Sequence, residues 1–476
     1  MTSGLVSRQH PERAALIAED GRVLRYAELH AAIDRCAGDL PARQLIFIVG
    51  YNDVPTVLCY LAAQSSGAVP LLLGSSIHVD QLEHLIDVYR PALLFMRADA
   101  AWPDAWPKSR ATLVRETDGY GLYALPTNCT ARALHPDLAL LLATSGSTGS
   151  PRLVRLSATN LKANAASIAE CLEITPDERA ITTLPFNYSY GLSIINSHLY
   201  AGASVILTNR SLMDADFWRT LNAQRATSFG GVPYSYDMLL RLRLARIDMP
   251  TVRTLTQAGG RMDPVKLQQV IEACHARGIR FVPMYGQTEA TARIAWVPAD
   301  ELARVPGSIG RAIPGGRLWI EREDGTTVDA AGEVGELIYA GPNVSMGYAQ
   351  CADDLALGDT LNGVLRTGDL ARHGEQGAIF IEGRLKRFLK VFGIRVSLDA
   401  VERMAAAQGI ECAASGSDDR LVVHAILTPD WTPQSLRDDL ARRIGVHPSA
   451  LTVSAVPALP RLPTGKVDYP CLARMS

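Results

Sequence analysis

Short apolar runs alternating with longer segments of helical period constrain this 476-residue chain more than any other feature. Gln44-Leu-Ile-Phe-Ile-Val, Ala203-Ser-Val-Ile-Leu and Arg280-Phe-Val-Pro-Met read as strands buried on both faces. Helical stretches lie between them. Residues 267–276 follow Asp263-Pro264, where a carboxylate can cap and a proline is already set for the first turn. Such alternation predicts an α/β fold with largely parallel sheets. From about Gly310 the pattern changes to short strands and turns, as in Arg317-Leu-Trp-Ile-Glu, Asp324-Gly325 and Gly335-Glu-Leu-Ile-Tyr, which predicts a β-rich subdomain. A second change falls near Gly383-Arg384-Leu385-Lys386. Beyond it, the strand-like Arg420-Leu-Val-Val-His-Ala-Ile-Leu and a helical stretch over 434–443 predict a small C-terminal α+β domain.

Composition excludes several functions. The formal net charge of −2 leaves no basic footprint for nucleic acid or an anionic membrane surface. No apolar run reaches the ~18 residues of a spanning helix; the one near Val54–Leu73 is broken by Gln64-Ser65-Ser66 and prolines. The first residues lack the layout of a signal peptide, and eight cysteines contain no Cys-x-x-Cys pair, so a reducing cytoplasm is expected. Only six of 47 basic residues are lysine, at 108, 162, 266, 386, 390 and 466. Each lysine therefore asks what an ammonium does that a guanidinium cannot.

Leu141-Leu-Ala-Thr144-Ser145-Gly146-Ser147-Thr148-Gly149-Ser150-Pro151-Arg152 runs an apolar strand into small hydroxyl residues and glycines and ends on a cation. Backbone N–H groups and hydroxyls in such a loop can wrap phosphate oxygens, although the spacing is not that of a Walker loop. Four further segments carry chemistry. Tyr285-Gly286-Gln287-Thr288-Glu289 offers an aromatic face, a hydroxyl and a carboxylate. Arg366-Thr367-Gly368-Asp369-Leu370 puts a carboxylate in a turn. Gly383-Arg384 precedes Lys386 and Lys390, and Leu462-Pro463-Thr464-Gly465-Lys466 presents a lone lysine on a shaped loop.

In this order the five motifs resemble the adenylate-forming superfamily of acyl-CoA synthetases, non-ribosomal peptide adenylation domains and beetle luciferases. Gly335–Tyr348 (Gly-Glu-Leu-Ile-Tyr-Ala-Gly-Pro-Asn-Val-Ser-Met-Gly-Tyr) extends the likeness. The resemblance implies an N-terminal AMP-binding domain over 1–383, built of two α/β subdomains and a β-rich one. A mobile lid over 387–476 would follow a hinge at 384–386. It implies ATP and Mg²⁺ as cofactors, and a reaction in which a carboxylate attacks the α-phosphorus to give acyl-AMP and pyrophosphate. The acyl group then passes to a thiol, that of CoA or of a phosphopantetheinyl carrier protein. Thr144, Ser145, Gly146, Ser147, Thr148, Gly149 and Arg152 would hold phosphates, and Glu289, beside Thr288, would ligate Mg²⁺. Tyr285-Gly286 and Gly259-Gly260 would line the adenine slot, Asp369 and Arg384 would hold ribose, and Lys466 would bridge carboxylate and α-phosphate. Lys386 would be the hinge, with Lys390 and Gly393 facing the site in the thiol step.

The acyl pocket implied by the same resemblance is lined by Asn187, Tyr188, Phe229, Gly231, Met284, Ala292 and Arg293. Amino-acid-activating relatives carry Phe-Asp where this chain has Phe186-Asn187. An amide cannot match a buried ammonium, so a free α-amino acid is disfavoured. Arg293, if inward, could serve a second acidic group; pairing elsewhere in the protein is the default. The phosphate loop ends in Pro151-Arg152 where Pro-Lys is usual, and no histidine follows Leu184-Pro-Phe. Other readings are transfer to an amine, a non-catalytic sensor, and an ATPase or kinase releasing ADP. The expected partners are a small carboxylic acid and possible stand-alone carrier protein, with no nucleic acid and no membrane.

Overall fold

The structure is a computed structural model; it describes residues 4–100, 102, 111–126, 133–143, 152–374, 377–385, 387–392 and 394–475, and counts below refer to these. Two large sheets form its body. One has eight strands, with Leu138–Ala143, Val69–Gly74, Leu45–Gly50 and Leu93–Arg97 parallel at its centre. The other has nine, with Ser204–Ile206, Arg179–Ile181, Ser228–Gly231, Thr254–Gln257 and Arg280–Tyr285 in parallel succession. All six residues of Leu45–Gly50 are buried, as a parallel strand covered on both faces requires. Leu16 and Val205 of one sheet share a core with Ile46 and Leu72 of the other. Leu161 and Ile195, from helices Ala158–Leu172 and Ser189–Tyr200, lie in the same core. The two α/β layers are thus fused by common helices.

Local chemistry sets the helix ends. Asp263 accepts from the N–H groups of Val265 and Lys266 at 3.0 and 3.1 Å and opens helix Pro264–His275. Asp53 caps Val54–Ser66, which stops at Gly67 in the left-handed conformation (φ 80°).

Past the parallel sheets the chain forms an antiparallel sheet of Arg317–Glu321, Val334–Ala340, Val364–His373 and Ile379–Arg384. From Phe388 onward a separate core begins, in which Val391, Val401, Leu421, Leu436 and Leu440 pack together. Here a hairpin (Phe388–Val391, Ile394–Ser397) and a three-stranded sheet (Glu411–Ser417, Arg420–Ile426, Leu451–Ala455) pack with helices Leu398–Ala406 and Pro433–Ile444. This C-terminal unit reaches back over the body. Arg403 donates to the carbonyl of Glu382 at 2.6 Å, and the Arg461 guanidinium lies 4.7 Å above the ring of Tyr234. Among the described residues no helix is long and apolar enough to cross a membrane.

Candidate active site

The carboxyl ends of the parallel strands Ser228–Gly231, Thr254–Gln257 and Arg280–Tyr285 open on one face, where α/β sheets form their ligand crevices. Gly259 (φ 85°) follows the middle strand. A Cβ there would stand 2.5 Å from the Tyr188 hydroxyl, so the backbone passes that ring at a distance only glycine allows. Gly260 packs against Pro233. At Gly286 a Cβ would lie 1.7 Å from the carbonyl oxygen of Ala292; the chain there doubles back on itself.

The turn carrying Thr288 and Glu289 is strained. Thr291 has φ 65° and ψ −55°, and Ala292 N–H donates to the Ala290 carbonyl at 2.7 Å, a γ-turn of the rare positive-φ hand. Asn343 braces it. Its Nδ2 donates to the carbonyls of Ala290 and Arg293, both at 2.9 Å; its own carbonyl accepts from Thr291 Oγ1 at 2.7 Å, and its Oδ1 from Tyr339 at 2.7 Å. Glu289 then accepts the Tyr348 hydroxyl on Oε1 at 2.7 Å, and no described residue donates to its Oε2. Burial, then the Glu289 charge, pushes the Tyr348 phenol up. Arg152 stacks on the Tyr348 ring at 4.0 Å. Thr288 Oγ1 meets Ser189 Oγ at 3.1 Å.

Next to this turn Asp369, 3% exposed, gathers three donors: Tyr285 Oη at 2.5 Å, Gln287 Nε2 at 2.8 Å and Arg384 Nε at 3.0 Å. Burial first, and then the Asp369 charge, raises the Tyr285 phenol well above its ordinary value, so it stays a donor. The Asp369 charge also raises Arg384.

Lys466 enters from the C-terminal unit. Its turn is closed by Gly465 N–H to Leu462 O and Leu462 N–H to Lys466 O, each 2.8 Å, and Gly465 abuts Val232. The ammonium sits 5.3 Å from the centre of the Tyr188 ring. Burial and the Arg384 charge lower its pKa to about 8, against the opposing pull of Glu289 and Asp369.

The acyl-pocket residues divide. Tyr188, Met284, Val232, Ala258 and Tyr190 share one apolar cluster, and Ala292 is buried close by in sequence to the Glu289 turn. Asn187 turns toward the other sheet, its amide against Gly74, and Gly231 packs on Ser235 and Tyr236. Phe229 meets Phe217 and Trp218 edge-on while also lining a cavity of about 20 Å³ with Arg293. Arg293 does not pair with a carboxylate among the described residues. It is 1% exposed, stacks on Tyr190 at 3.8 Å and donates to the Met284 sulfur at 3.3 Å. Lys390 is exposed on its hairpin. Thr144, Ser145, Gly146, Ser147, Thr148, Gly149, Lys386 and Gly393 lie outside the described residues. Roles for Asn343, Gln287 and the Tyr348 hydroxyl were missed in the sequence. All three stand inside recognised motifs, but Asn343 becomes meaningful only once the turn it braces is seen.

The AMP-binding enzyme model matches residues 6–349. Indoleacetate–CoA ligase of Aromatoleum aromaticum is 30% identical over 398 residues, covering 77% of this chain and 75% of the relative. Sulfoacetate–CoA ligase of Cupriavidus necator is 28% identical over 97% of this chain and 94% of its own length. The crystal structure of ATP-bound MatB from Rhodopseudomonas palustris superposes with a TM-score of 0.80 at 24% identity, covering 100% of this chain and 99% of the other.

Proposed function

The chain belongs to the family of AMP-binding enzymes, and from that premise we propose how its residues perform the chemistry of an AMP-forming acid–thiol ligase. A carboxylate oxygen bonds to the α-phosphorus of ATP as the bond to the β-phosphate breaks, releasing pyrophosphate. The thiol sulfur then attacks the acyl carbon, AMP leaves with the bonding pair, and the thiol proton passes to solvent.

Lys466 carries this reading, because it is the cation that the C-terminal unit delivers to the ring of Tyr188 at the mouth of the acid pocket. A lysine with a pKa near 8 is still mostly protonated at neutral pH, and its charge is only partly solvated. Placed between the attacking carboxylate and the α-phosphate, it opposes the negative charge that accumulates in transfer. Asp369 keeps lone pairs for ribose hydroxyls, and its bond to Tyr285 fixes the phenol ring as one wall of the adenine slot. Arg384, paired with Asp369 at 3.0 Å, stands beside the same ribose position, and Arg152 adds charge for the phosphates.

Mg²⁺ fits Glu289: this cation takes one or two protein carboxylates, completing its shell with phosphate oxygens and water, and Glu289 Oε2 accepts from none of the described residues. The ion offsets triphosphate charge when bound. Asn187 brings no negative charge and Arg293, behind Tyr190, would repel an ammonium, so a free α-amino acid is disfavoured. The acyl acceptor is CoA or a carrier protein, and the setting the cytoplasm.

The test is pyrophosphate release with ATP and Mg²⁺ across aryl, hydroxy, fatty and amino acids, with and without CoA. Acid-dependent release of pyrophosphate with AMP is expected, becoming multiple-turnover when CoA is the natural acceptor. Release of one equivalent unmoved by CoA points to a carrier protein or an amine. Formation of ADP, or release independent of any acid, overturns the reading.

A further inference from the structure

Arg293 follows the Glu289 turn, and its backbone is held firmly. Its carbonyl accepts from Asn343 Nδ2 at 2.9 Å and from Asn164 Nδ2 at 3.1 Å. The side chain is held in place but not matched. A guanidinium keeps its proton in proteins, so 1% exposure places a full positive charge in the interior. Its neighbours provide a tyrosine face and a thioether, both weak partners, and the Nε proton meets no acceptor among the described residues. Burial without a counter-charge is also why the group is pushed below its ordinary value.

The surroundings of the guanidinium suit an anion. Arg293 lines the cavity of about 20 Å³ with hydroxyl-bearing Ser197, Ser228, Thr254 and Thr256, room as it stands for about one water and not for a chain. His198, on the same cavity, is kept neutral by burial and spends Nδ1 on the Ile194 carbonyl at 2.8 Å. Glu178 also reaches this cavity but is engaged by Arg253 at 3.1 Å and by the Thr227 hydroxyl. Tyr190 stands between this cavity and the acid pocket: its ring stacks on Arg293, its hydroxyl meets Thr256 Oγ1 at 2.8 Å, and its centre lies 6.2 Å from that of Tyr188. Lys466 lies beyond Tyr188 and Arg293 against Tyr190, so two cations cap the two ends of one pair of tyrosines.

We infer that Arg293 is the counter-charge for a second anionic group on the substrate: the acid activated here carries an anion at the end remote from the carboxylate that is adenylated. This rests on the ligase reading above. One end of the acid is read by Lys466 and the nucleotide, the other by a guanidinium that lacks a protein partner because the substrate supplies it. Tyr190 must yield its place against Arg293, or share it, for the anion to approach.

The experiment compares straight-chain dicarboxylates from malonate to adipate, and 4-carboxyphenylacetate, with monocarboxylates of matched length. The readout is kcat/KM for pyrophosphate release by wild type, Arg293→Met and Arg293→Lys. Wild type should prefer one diacid over its matched monoacid by roughly 10- to 100-fold, the worth of a hydrogen bond to a charged partner. Arg293→Met should abolish that preference, mainly through KM, while Arg293→Lys retains part of it. A wild type that prefers the monoacid, or a Met variant with an unchanged ratio, overturns the inference. Calorimetry with the same acids separates it from the premise. A diacid bound by wild type and not by Arg293→Met upholds the role of Arg293 even where no acid releases pyrophosphate, and absence of diacid binding overturns it. Thermal melts without acid give a third readout. Met at this position should melt at or above the wild-type temperature, and a clear fall would mark Arg293 as a structural residue and sink the proposal.

Discussion

Two arginines in this protein are almost equally hidden from solvent, and their surroundings could hardly differ more. Arg155, on strand Leu153–Ser157, is 0% exposed, and its guanidinium donates to three backbone carbonyls: Met346 at 2.6 Å, Tyr348 at 3.1 Å and Leu357. Those carbonyls belong to the segment that delivers the Tyr348 hydroxyl to Glu289. Arg293, 1% exposed, has a ring face and a sulfur. Fixed dipoles solvate the first charge inside the protein, whereas the second is left to be matched from outside. Burial alone therefore does not separate a structural charge from a functional one; the inventory of acceptors does.

The sharpest way to break this contrast is to remove both charges in the same way. Arg155→Met takes a donor from three carbonyls at once, of which Met346 O keeps its bonds from Thr360 N–H at 3.1 Å and Thr360 Oγ1 at 3.2 Å, and should cost about 3–5 kcal/mol of stability, with a lowered unfolding midpoint in denaturant. At Arg293 the same replacement leaves no acceptor unpaired. Equal losses at the two positions would end the distinction.

Lys466 offers a third kind of cation, half-solvated and tuned. Lys466→Ala should lower acid-dependent pyrophosphate release by about 10²–10³-fold while leaving the unfolding midpoint near wild type. A variant as active as wild type would remove Lys466 from the reaction. The pH dependence has a definite sign. Burial lowers this pKa from 10.5 to about 8, so the ammonium is present below pH 8 and is lost as pH rises through it. The rate should therefore decline above about pH 8. For stability the sign is opposite: between the folded value and 10.5 the unfolded chain holds the proton that the folded site has released, so this group favours folding more as pH rises. A rate that is flat to pH 10 would show that the charge on Lys466 is not what the reaction uses.

Much of this was open to a reader of the sequence. The buried strands Leu45–Gly50 and Arg280–Tyr285, the helix beginning at Asp263-Pro264 and the turn to antiparallel strands after Gly310 follow from local period and punctuation, which short-range forces decide. Tyr285, Glu289, Asp369, Arg384 and Lys466 were singled out by motif, and the fold gathers them at one set of strand ends. The difference between Arg155 and Arg293 was not legible. The partners of Arg155 lie some two hundred residues away, and the lack of partners at Arg293 is a property of the whole fold. The strained Thr291 was equally hidden, because no glycine marks its left-handed backbone.

That residue supplies the subtlest test of how Arg293 is held. Thr291 sits two positions before it, and the positive φ of a β-branched residue costs about 1–3 kcal/mol. Thr291→Gly removes that strain. It also deletes the hydroxyl bond to the Asn343 carbonyl, worth about 1 kcal/mol, and adds roughly 0.5–1 kcal/mol of backbone entropy to the unfolded chain. These contributions oppose one another, so the net change in stability should fall within about 1 kcal/mol of zero. Activity should not be spared. A glycine turn no longer dictates the path from Glu289 to Arg293, and both side chains lose the placement that makes them useful before substrate arrives. Lower kcat/KM at nearly unchanged stability is the expected pair of results. A large loss of stability would instead mean that the hydroxyl bond outweighs the strain; unaltered kinetics would mean that the bracing by Asn343 and Asn164 is sufficient by itself.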